Sequence, residues 1–133
     1  MNVIVTIDDA NGTMFNHRRQ SRDRVLNERI LKVCGGRLRV TPETAALFAG
    51  MQAELTVTPD PLAGAGEDDW IFSEGLPLAP HAGKIGKLVL YRWNRRYPGD
   101  RFLDVDPAAM KLISTADFAG SSHEKITEEV YIR

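Results

Sequence analysis

The chain opens on an unbroken apolar and β-branched run. Asn2-Val3-Ile4-Val5-Thr6-Ile7 shows no alternation with polar residues, so it predicts a strand buried on both faces. Asp8-Asp9-Ala10-Asn11-Gly12 follows with turn chemistry. Val25, Leu26, Ile30 and Val33 then recur at helical spacing. Ser21 stands where an N-cap belongs, Asp23 suits the first turn, and Gly35-Gly36 ends the helix. Arg37-Leu38-Arg39-Val40 alternates as a short strand. Thr41 caps a second helix with Pro42 at its first position, running through Leu47-Phe48 to Gly50.

The second half reads as strands. Glu54-Leu55-Thr56-Val57-Thr58 alternates, and Trp70-Ile71-Phe72 is an apolar strand centre with Trp70 and Phe72 as core residues. Pro59 to Asp69 is a loop, and the glycines and prolines of 75–86 exclude a long helix. Lys87 to Trp93 is the strongest strand pattern. Arg101 to Val105, Lys111 to Ser114 and Lys125 to Arg133 follow it. Two early strand–helix units before a run of strands predict an α/β fold, a mixed central sheet with flanking helices.

Composition narrows the function classes more than it changes this picture. A chain of 133 residues, 43% hydrophobic and 26% charged, is one domain spanning 1–133 with a real core. A formal net charge of −1 means that anion binding must come from a local patch. The single Cys34, beside Gly35-Gly36, excludes an internal disulfide and reads as a small core or loop residue. No Cys/His spacing suggests zinc, and no metal ligand set is expected. The phosphate loop, the two-metal histidine cluster and the Gly-x-Ser-x-Gly elbow are also absent. Without a long apolar run or a basic start leading into one, neither a membrane span nor a signal peptide is expected, and the predicted location is cytoplasmic.

The candidate chemistry lies in His17-Arg18-Arg19-Gln20-Ser21-Arg22-Asp23-Arg24. Cations at a helix start oppose the partial positive charge of its free N–H groups, and an arriving anion would relieve the conflict. Arg18, Arg19 and Arg22 are therefore candidate ligands for a small anionic partner, with Asp23 fixing at least one guanidinium. The competing reading is a solvated basic face balanced by Asp8, Asp9 and Glu28. Ser121, Ser122 and His123 form a second polar cluster, in a turn before the last strand. They either close the arginine pocket or remain an exposed turn, and a Ser–His pair carries nucleophilic chemistry only if its geometry is right. Trp93-Asn94-Arg95-Arg96-Tyr97 interleaves aromatics with cations. With 17–24, the basic residues of 92–96 give an alternative of another class, a nucleotide or RNA interaction module. An ordinary strand-end loop explains the same residues.

The order of elements resembles dihydrofolate reductase. The resemblance is carried by the strand Lys87 to Arg92, by Gly99-Asp100-Arg101-Phe102, and by the acidic Asp104-Val105-Asp106-Pro107. The strand Met110 to Ser114 and the terminus Tyr131-Ile132-Arg133 extend it. At the start of the chain, a strand ending Ile7-Asp8, a glycine-containing loop and a helix with an early carboxylate fit the same order. The resemblance implies an oxidoreductase in which Asp23 occupies the place of the catalytic acid and Thr44 lies near the phosphates of NADPH. Such an acid needs burial to raise its pKa. Arg22 and Arg24 beside Asp23 push the other way, which favours Asp23 as an arginine organiser or ligand acceptor. The chain also departs from the family. Arg18-Arg19-Gln20 replaces the Leu-Pro-Trp element, Thr41-Pro42 replaces a Gly-Arg pair, and Ser73-Glu74-Gly75 replaces a Gly-Gly pair. These losses fall on the cofactor side and predict a weakened nicotinamide site, with NADPH binding weak or absent. The reading is a divergent reductase-like domain that binds a small anionic or heterocyclic ligand.

Overall fold

The computed structural model describes residues 1–133. A seven-stranded sheet forms its centre. The strands are β1 (Asn2–Ile7), β4 (Arg37–Val40), β5 (Glu54–Val57), β6 (Trp70–Ser73), β7 (Lys87–Arg92), β9 (Lys111–Phe118) and β10 (Ile126–Ile132). Their order is β5-β4-β6-β1-β7-β10-β9. β1 pairs in parallel with both β6 and β7, and β10 lies antiparallel between β7 and β9. The sheet is mixed, as the sequence predicts, and the strands expected near 2–7, 87–93, 110–115 and 125–133 all belong to it.

Alternation along β1 and β7 divides the core into two layers. Ile4, Val89 and Tyr91 point to one face, where Leu26 and Ile30 of helix α1 (Arg24–Val33) cover them. Val3, Val5, Ile7, Leu88 and Leu90 point to the other face, beneath Leu62, Leu78 and Ile85. Since both faces are covered, the strands need to be apolar at successive positions, which explains the unbroken run at the N-terminus. An ion pair fastens α1 to the antiparallel side: Arg29 donates to Glu128 from Nε at 2.7 Å and from Nη2 at 3.1 Å, and the Tyr91 hydroxyl donates to Glu128 at 2.8 Å.

A second, three-stranded sheet was not anticipated. β2 (Gly12–Phe15) pairs antiparallel with β3 (Arg18–Arg19) and with β8 (Arg101–Phe102). Asn16 and His17 join β2 to β3 with φ of 51° and 59°, the positive values that a tight two-residue hairpin demands at both centres. Arg18 and Arg19 therefore lie on a hairpin ahead of the helix, which corrects their expected place at its start. The strand expected over 101–105 is the two-residue β8. Helix α2 (Pro42–Ala45) begins at Pro42 under a Thr41 cap and passes into a 3-10 turn over Ala46–Phe48. The cap of α1 also needs correction: Asp23, not Ser21, accepts the Leu26 N–H, at 3.1 Å.

Candidate functional site

The carboxyl ends of β4 and β6 and the β2–β3 hairpin surround a cleft of about 1090 Å³. In open α/β sheets such a crevice beyond the strand ends is the usual place for a ligand. Arg18, Arg19, Arg22 and Arg101 line it, with His17, Ser21, Thr41, Glu43, Thr44 and Glu74; Met14 and Leu76 are its apolar residues. Four guanidiniums thus face two carboxylates.

One of those guanidiniums is already neutralised. Arg19 forks onto Glu74, with Nε at 2.8 Å from Oε2 and Nη2 at 3.0 Å from Oε1, and also donates to the Glu43 carbonyl. Hydrogen bonding to Glu74 raises the Arg19 pKa further, against the opposing effect of burial. Thr44, buried, donates to the same carboxylate at 2.7 Å. Arg18 and Arg22 are exposed and have no carboxylate within ion-pair distance. Arg101 reaches only the Gly75 carbonyl, at 3.3 Å. The balancing acids expected at Asp8 and Asp9 do not serve these arginines. Asp8 is buried and holds the backbone of its own turn, accepting from Ala10 and Gly12 at 2.9 and 2.7 Å and from the Tyr97 N–H at 3.1 Å. Only Glu28 plays that part, pairing with Arg24.

Ser21 stands on the wall of the cleft, and behind it lies a second polar assembly. Its Oγ is 3.0 Å from His123 Nε2, and His123 Nδ1 is 2.9 Å from Asp23 Oδ2. The Tyr97 hydroxyl is 3.1 Å from the same Nε2, and the imidazole stacks on Trp93 with ring centres 4.5 Å apart. Asp23 also accepts from the Ser121 N–H at 3.0 Å, the Ser121 hydroxyl at 3.2 Å and the Ser122 N–H at 2.8 Å. Burial alone would raise the Asp23 pKa. The hydrogen bonds from His123, Ser122, Ser121 and Leu26 overcome it and hold the carboxyl well below the ordinary range. Gly120 lies so close above Asp23 that a β-carbon there would collide with the carboxylate.

No protein-family model matches the chain, and no curated protein matches it in sequence. Among solved structures, dihydrofolate reductase from Enterococcus faecalis, complexed with NADP(H) and RAB-propyl, superposes with a TM-score of 0.65. The match covers 99% of this chain and 95% of that one, at 11% sequence identity. The fold is that of dihydrofolate reductase.

Within this dihydrofolate-reductase fold, the residues singled out in sequence fall into two groups. Arg18, Arg19, Arg22 and Thr44 share the cleft. Asp23, Ser121, Ser122 and His123 form the closed assembly behind it. No arginine reaches Asp23, which corrects its expected role as a guanidinium organiser. His123 is buried and not part of an exposed turn. Trp93 is 3% exposed, so the aromatic member of the basic cluster at 92–96 offers no open stacking surface. Sequence reading missed Ser21 and Tyr97 as partners of His123, and missed Glu74 and Arg101 as members of the cleft.

The head of α2 offers few free backbone donors. Pro42 has no N–H, the Thr44 N–H is taken by Thr41 Oγ1 at 3.3 Å, and Glu43 puts a carboxylate in the first turn. Thr44 Oγ1 is committed to Glu74. No group of three His, Cys, Asp or Glu side chains is placed to hold a metal, and no helix is long and apolar enough to cross a membrane.

Proposed function

We propose that this dihydrofolate-reductase-fold protein binds a small anionic ligand in the arginine-lined cleft and is not a pterin reductase. One observation carries the reading. Arg18, Arg22 and Arg101 line a cleft at the strand ends, and no carboxylate neutralises them. Guanidiniums in such a setting grip phosphate or carboxylate groups through paired N–H donors. The ligand is anionic on one side and small enough for the cleft. Its body rests on Met14 and Leu76.

Two features support the non-reductase half of the reading. Asp23, in the place of the family's acid, already accepts from five protein donors, so it has little capacity left for a heterocycle. Its depressed pKa keeps it ionised, the wrong state for a proton donor. The head of α2 presents the Glu43 carboxylate, a proline without an N–H and a Thr44 N–H already bonded to Thr41 to a cofactor phosphate, which argues for weak or absent NADPH binding.

A thermal-shift and calorimetry panel of phosphate, pyrophosphate, nucleoside monophosphates, dicarboxylates, dihydrofolate and NADPH tests this. An anion at a hundred times its dissociation constant should stabilise by about 2.7 kcal/mol. Stabilisation by phosphates or dicarboxylates, weakened by added salt, is the expected result. Micromolar NADPH affinity with dihydrofolate turnover would return the protein to the reductases, and no anion response at millimolar concentration would remove the ligand site.

A further inference from the structure

The geometry points to Ser21 as a nucleophile, activated by His123 and oriented through Asp23, acting on a small ester that carries a carboxylate or phosphate group. The anionic part of that substrate rests on the cleft reading above. The nucleophile does not.

The three groups run from the cleft wall inward. Ser21 faces the cleft, His123 is 5% exposed behind it, and Asp23 is 1% exposed behind His123. Oγ to Nε2 is 3.0 Å and Nδ1 to Oδ2 is 2.9 Å. A nucleophile hydrogen-bonded to a base that is in turn oriented by a third group is the arrangement hydroxyl activation requires. The ionised carboxylate can only accept, so it places the ring proton on Nδ1. Nε2 of the neutral ring is then a lone-pair acceptor directed at Ser21. Trp93 stacks on the ring, and backbone N–H groups of Ser121 and Ser122 fix the carboxylate, so neither group can swing away. The N–H of Arg22, the residue after the nucleophile, has no acceptor within the protein. That N–H and the unpaired guanidiniums of the cleft are suited to an oxyanion formed at Ser21.

Chemically, Ser21 Oγ adds to the ester carbonyl carbon while its proton passes to Nε2. The carbon–oxygen bond to the leaving alcohol then breaks, and the alcohol departs with that proton. Water adds to the acyl group on Oγ, again giving a proton to Nε2. The carboxylic acid leaves and the proton returns to Oγ. Water is the only co-reactant. His123 and Ser21 are the catalytic residues and Asp23 is a positioning residue.

Tyr97 makes the arrangement testable from a second side. Its hydroxyl lies 3.1 Å from the same nitrogen. One lone pair cannot serve two donors at once, so Tyr97 competes with Ser21.

The experiment treats the full chain with a neutral fluorophosphonate ester and maps the adduct by mass spectrometry. The expected result is one adduct, on Ser21, absent in Ser21→Ala. His123→Gln should slow labelling by about a hundredfold or more, and Tyr97→Phe should label as fast as the parent or faster. This last measurement stands even if His123→Gln does not fold. No adduct on Ser21 in the folded protein, labelling that ignores His123→Gln, or slower labelling in Tyr97→Phe overturns the assignment. Because the probe is neutral, absent labelling alongside intact anion binding rejects the nucleophile alone. Labelling without any anion response keeps the nucleophile and overturns the substrate class.

Discussion

On one side of Ser21, the Asp23 carboxylate is closed off from solvent and accepts from Leu26, Ser121, Ser122 and His123. On the other side, Arg18 and Arg22 stand exposed, with guanidinium donors that no protein carboxylate meets. Both regions are polar and both flank the start of α1, yet their groups do different work. Around Asp23 each donor has its acceptor, so the interaction energy goes into joining the 120–123 turn to α1. In the open region the donors keep their capacity for something from outside. Arg19 lies between these cases: it lines the cleft, but Glu74 has taken up its fork, so it shapes the wall more than it attracts a ligand.

The sharpest way to break the comparison is Asp23→Ala. The change orphans the N–H groups of Leu26, Ser121 and Ser122 and the Nδ1 of His123; the Leu26 and His123 bonds are buried and the two serine bonds half-buried. Breaking such an assembly by removing the ionised partner costs on the order of 3–5 kcal/mol. Chemical denaturation should show a large fall in midpoint. A loss under about 1 kcal/mol would mean that water replaces the carboxylate freely, and that the region is not closed to solvent.

Acid should loosen the same region by a smaller, graded amount. The hydrogen bonds on Asp23 outweigh burial, and the Arg29 and Tyr91 hydrogen bonds outweigh burial on Glu128, so both folded pKa values lie below their ordinary ones. A lowered carboxyl pKa contributes stability that is complete above the unfolded value, about 4, and is lost as pH falls through the folded one. Denaturation midpoints should therefore be flat above roughly pH 5 and decline below about pH 4. Asp23→Asn should flatten part of that decline. A midpoint that rises on acidification, or an unchanged slope in the variant, would show that these carboxylates are not the groups responsible.

These regions were legible in sequence to different degrees, for physical reasons. The two-faced strands β1 and β7 announced themselves through unbroken apolar runs, and Thr41-Pro42 announced α2, because both signals are local. The charge of the arginine cluster was equally plain, but its placement was not. The hairpin that carries Arg18 and Arg19 turns at Asn16-His17, both at positive φ. The usual signal for that turn is Asn-Gly, and histidine is a poor advertisement for it. The closed assembly had no local signal at all. His123 lies 100 residues from Asp23, and Ser21 lies 102 from His123. Ser21 and Asp23 are both good caps, and what decides between them is the pair of N–H groups arriving from Ser121 and Ser122. That is tertiary information, as is the burial that takes Trp93 out of reach.

The smallest expected effects sharpen the open side. Arg22 is exposed and unpaired, so Arg22→Ala should leave stability within about 0.5 kcal/mol of the parent. Arg24, two residues on, pairs with Glu28 one helical turn away at 2.9 Å, with side chains 70% and 53% exposed. Arg24→Ala should also cost only a few tenths of a kcal/mol, since such pairs are weak and salt-screened. Stability therefore does not separate the two arginines, but ligand affinity should. Arg22 lines the cleft and Arg24 does not. A hydrogen bond to a charged group is worth about 1.5–3 kcal/mol, so Arg22→Ala should weaken binding of the anion found in the panel by about tenfold or more. Arg24→Ala should leave that affinity unchanged. Calorimetry on the two variants decides the matter, because both remove one positive charge from the same helix start. Equal losses would mean that the cleft attracts anions only through its general field, whereas a loss confined to Arg22 would mean a direct guanidinium contact.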